Sequence, residues 1–187
     1  MPSGTLIVIS APSGSGKTTI AKEIMRRNPS LAFSVSATTR AKRVEETEGR
    51  DYFFLTKQEF RKKVSAGEFV EWEEFYGNCY GTLKAEVDRL LKKGKNVLLD
   101  LDVKGGLSIK KQYPEALLIF IRPPSIETLK ERLLNRRTED DATLATRLER
   151  VPMELELGCT FDHQVVNDDL ERATREVQSL VEQHISQ

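Results

Sequence analysis

Between Ile7 and Thr19 the chain reads Ile-Val-Ile-Ser-Ala-Pro-Ser-Gly-Ser-Gly-Lys-Thr-Thr. A short β-branched run empties into a turn, and Lys17-Thr18 opens a stretch that repeats Ile20, Ile24 and Met25 on one helical face. A turn of this kind aims consecutive backbone N–H groups at one point, where a helix N-terminus adds partial positive charge. Gly14 and Gly16 allow the backbone to approach a phosphate closely. Lys17 can reach the outer phosphates, and the Thr18 hydroxyl suits Mg²⁺. Residues Ala11, Pro12, Ser13, Gly14, Ser15, Gly16, Lys17, Thr18 and Thr19 therefore read as a nucleoside triphosphate site. The strict pattern has Gly where this chain has Ala11.

A second set of residues speaks to an acceptor. Arg40 and Arg43 lie three residues apart, just past an extended run. Two guanidinium forks can hold one phosphate dianion, and Tyr52 and Tyr80 offer phenolic donors to the same oxygens. Read alone, the two arginines also fit a solvated loop. Glu71, Thr82 and Asp102 bear on what hangs from that phosphate. The Watson–Crick edge of guanine presents two adjacent donors beside a carbonyl oxygen, so a carboxylate can accept from both while a hydroxyl donates to the oxygen. Adenine would leave that carboxylate facing a lone pair, the kind of mismatch that discriminates strongly. On spacing alone Glu71, close to Glu68, Glu73 and Glu74, fits an outward strand position equally well.

These residues need a scaffold. At 187 residues the chain is one domain's length, with 39% hydrophobic residues for a core. The formal net charge is zero, which argues against a nucleic-acid partner, whose grip rests on clustered Lys and Arg. Cys79 and Cys159 stand apart without CxxC spacing, so neither a disulfide framework nor a thiolate metal site is expected. The amino-terminal stretch has no basic n-region and no span of membrane length, and the expectation is a cytoplasmic protein. The outer parts alternate strand and helix: Thr5–Ser10, Lys17–Arg27, Asn96–Asp102, Val103–Gln112, Leu117–Arg122, His163–Val166 and Asp169–Gln183. That alternation predicts a parallel sheet covered by helices. The middle is different, with short extended pieces at Phe33–Ala37, Tyr52–Leu55, Phe69–Phe75 and Cys79–Tyr80, a tight turn at Gly77-Asn78, and one helix opened by a Thr56/Glu59 capping box. Residues 126–150 are helical and so rich in Arg, Glu and Asp that they read as a solvated face.

The segments Ala11–Thr18, Ser36–Arg43, Gly49–Phe54, Phe69–Trp72, Gly77–Thr82 and Leu99–Gly105 follow one another as in the guanylate kinase family. The resemblance continues through Pro123–Ser125, Arg132-Leu133, Arg136, Thr138, Arg147-Leu148 and Val166–Asp169, and so spans nearly the whole chain. It implies an α/β P-loop nucleoside monophosphate kinase fold forming a single domain over 1–187. The core would be 1–33, 82–125 and 151–187, with a GMP-binding subdomain at 34–81 and a helical lid at 126–150. It also implies the activity, Mg²⁺-dependent transfer of the ATP γ-phosphoryl to GMP, with these two small molecules as partners and no nucleic acid or membrane. Oligomeric state is left open, a homodimer being compatible. By the same resemblance Ser36, Glu71, Thr82 and Asp102 would read guanine, and Arg40, Arg43, Tyr52 and Tyr80 would clamp its phosphate. Lys17 and the loop amides would hold ATP, with Thr18 and Asp100 toward the metal. Arg132, Arg136 and Arg147 would close over the phosphates, and Asn167 would meet the adenine. No general base is expected, because a nucleotide phosphate is already ionised near neutrality, so His163 and His184 fall to structure or surface. Four departures from the family pattern stand out: Lys42 and Glu45 in the arginine loop, Cys79 where an aromatic is common, Arg137 at a lid glycine position, and Pro152, expected to kink or break a long helix.

Overall fold

Strand β1 (Leu6–Ser10) is buried along its whole length, as a strand needs to be when both faces of its sheet are covered. In the computed structural model, which describes residues 4–75, 77–135 and 141–186, β1 is the centre of a five-stranded parallel sheet. Its neighbours are β2 (Leu31–Phe33), β7 (Asn96–Asp100), β8 (Leu117–Arg122) and β9 (His163–Val166), in the order β2-β7-β1-β8-β9. Alternate residues of β1 feed two separate cores. Ile7 and Ile9 meet Ile20 and Ile24 of α1 (Lys17–Arg27) and Val177 and Val181 of α7 (Leu170–Ile185) on one face. Leu6 and Val8 meet Val87 of α3 (Lys84–Lys92) and Ile109 of α4 (Val103–Gln112) on the other.

Because β7 and β8 flank β1, the chain leaves β1 at the point where strand order reverses. In open α/β sheets that crevice, at the carboxyl ends of the strands, is where ligands sit. Asp100 ends β7 beside Ile9, so the acid and the glycine turn after Ser10 emerge side by side.

The middle segment builds its own sheet, ordered β4 (Phe53–Phe54), β3 (Ala37–Thr38), β6 (Asn78–Leu83) and β5 (Phe69–Phe75). Only β3–β4 is parallel; β3–β6 and β5–β6 are antiparallel. Helix α2 (Lys57–Ser65) lies against it, with both halves of the Thr56/Glu59 capping box formed. Phe60 stacks on Phe69 at 4.4 Å between ring centroids, in a small core separate from the other two.

Two expectations need correction, and one element carried none. The extended piece at Phe33–Ala37 is not one strand, since Leu31–Phe33 joins the main sheet beside β7 and Ala37–Thr38 opens the small one. Helix α3, between β6 and β7, carried no sequence expectation. Finally, of the kink or break expected at Pro152, the break does not occur: α6 (Asp141–Gly158) runs on through it. Pro152 is exposed, so water can serve the carbonyl one turn back that loses its N–H partner. As a result the expected lid boundary at 150/151 falls inside a continuous helix.

Candidate functional site

A cleft of about 350 Å³ opens where the two sheets face each other. The glycine turn lines one side, from Ala11 to Thr19 with Ser15 buried beneath. Gly14 and Gly16 take φ of +89° and +91°, a region that favours residues without a Cβ. The turn is braced from below by Asn167, which is buried and donates from Nδ2 to the Ser15 carbonyl at 2.8 Å. Lys17 Nζ lies 2.5 Å from Asp100 Oδ1 and 2.9 Å from the Leu101 carbonyl, and the Thr18 hydroxyl donates to Asp100 Oδ2 at 3.4 Å. Two residues of the second helical layer, on α5 (Ile126–Asn135) and α6, reach the same rim. Arg132 donates to the Asn167 carbonyl at 3.0 Å, and Arg147 donates to Ser13 Oγ at 2.7 Å. Arg136, Arg137 and Thr138 lie outside the described residues.

The opposite wall comes from the small sheet and the start of α4. Ser36, Tyr52, Glu71, Tyr80 and Asp102 all line the cleft. Tyr52 and Tyr80 meet edge to face at 6.2 Å, and the Arg40 guanidinium sits 5.4 Å over the Tyr52 ring. Arg40 is held by both oxygens of Glu46, at 2.6 and 3.1 Å. Arg43 differs: it is exposed, and its backbone amide donates to the same Glu46.

Glu71 reaches the cleft because β5 carries a bulge. Register shifts between Phe69 and Glu71, and an extra residue in one strand re-aims the side chains beyond it. Val70, in the bulge, turns its side chain into the main core. Its carbonyl accepts from Gln112 Nε2 at 2.8 Å and Ser108 Oγ at 3.3 Å, both on α4. Asp102 caps that same helix, with Oδ1 accepting from Gly105 N at 2.7 Å. Burial pushes the Glu71 carboxyl up to about 7, and the nearby Asp102 charge adds to the rise. A carboxylate held without full solvation is set to accept from donors on a ligand.

Three charged residues lining the cleft carried no sequence expectation as site residues: Glu73, Arg150 and Glu154. Period-two spacing from Glu71 would have found Glu73. Arg150 was hidden in a charged run that looked solvent-facing, although it is a helical neighbour of both Arg147 and Glu154. Among the described residues no cluster of three or more His, Cys, Asp or Glu could by itself hold a metal, and no helix is long and apolar enough to cross a membrane. Cys79 and Cys159 are free thiols, and His184 bonds Thr5 far from the cleft.

The guanylate kinase family model matches residues 3–184. A guanylate kinase from Thermotoga maritima is 48% identical over 178 residues, covering 95% of this chain and 86% of that one. One from Chlorobium chlorochromatii is 51% identical over 181 residues, covering 96% and 95%. The crystal structure of guanylate kinase from Anaplasma phagocytophilum superposes with a TM-score of 0.78 at 30% identity, covering all of this chain and 89% of that one.

Proposed function

Because this chain belongs to the guanylate kinase family and transfers a phosphoryl group from ATP to GMP, we propose that the cleft between its two sheets is where the two nucleotides meet. The observation that carries this reading is the pairing, in one cavity, of a P-loop with a half-buried carboxylate pair, Glu71 and Asp102. ATP phosphates lie on the loop amides from Ala11 to Thr19 with Lys17 reaching the outer oxygens. GMP lies across from them, its phosphate on Arg40, Tyr52 and Tyr80, with Arg43 swinging in from its exposed loop. Its guanine accepts from Ser36 and Thr82 and donates to Glu71, with Asp102 completing the edge.

Phosphoryl transfer asks mainly for alignment and for charge neutralisation on the equatorial oxygens. Lys17 supplies a cation at the loop, and Arg132 and Arg147 bring two more from α5 and α6. In the free protein Asp100 holds Lys17; an arriving triphosphate offers the ammonium a stronger partner and releases the carboxylate. Thr18 and Asp100 then present two hard oxygens on one side of the triphosphate, which suits a hydrated Mg²⁺ bound chiefly by the nucleotide. That ion, when bound, neutralises charge on the transferring group. The region 34–81 acts as the acceptor subdomain, and α5 with the first half of α6, both within the 126–150 span, acts as the lid that excludes water.

ADP release, coupled to an optical readout, tests this with GMP, AMP, UMP, CMP and dTMP as acceptors. Wild-type protein should turn over GMP far faster than the others. Glu71→Gln should raise KM for GMP by about tenfold to a hundredfold, since a positioned polar contact is worth a few kcal/mol, while KM for ATP stays within twofold. Equal effects on both substrates would contradict the assignment of Glu71 to guanine.

A further inference from the structure

Glu73 and Arg150 are not explained by holding either nucleotide, yet both face the acceptor end of the cleft. Glu73 follows Glu71 by two residues on β5, so the strand's period-two alternation puts both on one face while Trp72 turns away toward Phe60. Arg150 lies on α6, a turn of helix beyond Arg147. Its guanidinium Nη2 is 2.8 Å from Glu73 Oε1 and 3.8 Å from Asp102 Oδ2, and its Nε is 3.6 Å from Glu154 Oε1. These three carboxylates come from three different parts of the fold: the acceptor sheet, the head of α4 in the core, and α6 itself. Glu71 adds a fourth acid to the same corner. Like charges so close, and partly shielded from water, repel unless a cation stands among them. An arginine suits that place because its planar fork serves several oxygens at once.

We propose that Arg150, through Glu73, is a positioning residue for guanine recognition: the pair straps β5 to α6 and so fixes the gap between Glu71 and Asp102 that guanine must fill. This rests on the assignment of Glu71 and Asp102 to guanine. The strap acts on the acceptor strand from the lid-bearing helix, so it also ties the two moving parts to one cation. Burial and the adjacent Asp102 raise the Glu73 carboxyl above the ordinary range, and Arg150 opposes that rise. Removing the cation therefore leaves β5 repelled from α4 at the point where the guanine edge would sit.

Steady-state kinetics on Arg150→Gln, Glu73→Gln and the double variant test the strap. Each single change should raise KM for GMP about five- to tenfold, with kcat and KM for ATP within twofold, the size expected when one partner of a half-buried pair is lost. The double variant should be no worse than either single one, because both remove the same link. Arg150→Lys should recover part of the loss, since it keeps the charge and loses the fork. If Arg150→Gln fails to fold, Arg150→Lys and Glu73→Gln carry the test by the same KM values. Additive losses in the double variant, or a rise in KM for ATP equal to that for GMP, would overturn the strap. So would an unchanged KM for GMP in Glu73→Gln. Glu71→Gln run alongside separates the two claims: if it raises KM for GMP while the strap variants do not, only the strap falls, and if Glu71→Gln itself is silent, the guanine assignment falls first.

Discussion

Glu71 concentrates the trade between stability and recognition at a single side chain. Its carboxyl is raised from the ordinary 4.5 to about 7, chiefly by burial, so the folded state binds its proton more tightly than the unfolded chain does. From this group, stability is greatest below about pH 4.5 and falls as pH rises through 7. On the proposed assignment of Glu71 to guanine, recognition runs the other way, because guanine's two donors need the ionised form. The inhibition constant of guanosine, which has no phosphate to titrate, should therefore rise about tenfold per pH unit below 7, while KM for ATP changes little. A flat profile between pH 8 and 5.5 would show that the carboxylate is not the acceptor. Glu71→Gln should melt a few degrees above wild type at pH 8, as expected for about 1 kcal/mol in a chain of this size, and no higher at pH 5. Sites tuned for binding commonly cost stability in this manner. The sequence made Glu71 a candidate, but its burial was not legible, since an outward glutamate has the same spacing.

At the scale of elements, α4 sets the geometry of the acceptor end. It presents Asp102 as its own N-cap and grips the β5 bulge through Ser108 and Gln112, so one helix brings both carboxylates to the same corner, where the proposed strap holds their gap. Gly105, one turn in, makes their approach possible: a Cβ there would lie 2.8 Å from Asp102 Oδ1 and 3.1 Å from Glu71 Oε2. Alanine is the better helix former by up to about 1 kcal/mol, so Gly105→Ala should fold, yet it should raise KM for GMP about tenfold by forcing the two acids apart. An unchanged KM would mean that the carboxylates have room to spare. The cap went unread although it was legible, since an acid at the end of an apolar strand before a helical pattern is a common N-cap. The bulge was not, since nothing in Phe69-Val70-Glu71 marks where an extra residue enters a ladder.

Over the whole molecule, four cores among the described residues divide the labour. Two pack the faces of the main sheet, a third, around Ala37, Phe60 and Phe69, belongs to the proposed acceptor subdomain, and a fourth, around Leu129, Leu133 and Val151, joins α5 to α6. A small separate core allows the subdomain to move as a unit against a stiff base and gives it lower local stability. Hydrogen exchange should accordingly be slowest in β1, β7 and β8 and faster in β3, β5 and β6, with GMP slowing the second group selectively. Uniform exchange across both sheets would argue for a single cooperative block. The chain alone determined whatever depends on neighbours in sequence: the phosphate turn with its flanking strand and helix, the Thr56/Glu59 cap, and the alternation that makes a parallel sheet. Those features follow from backbone geometry and short-range hydrogen bonding, which a few consecutive residues fix. Tertiary structure decided that Leu31–Phe33 joins the main sheet, that α6 continues through Pro152, and that Glu73 and Arg150, 77 residues apart, form a pair. Each of these depends on which surfaces meet once the cores are packed and on which side of a helix water can reach.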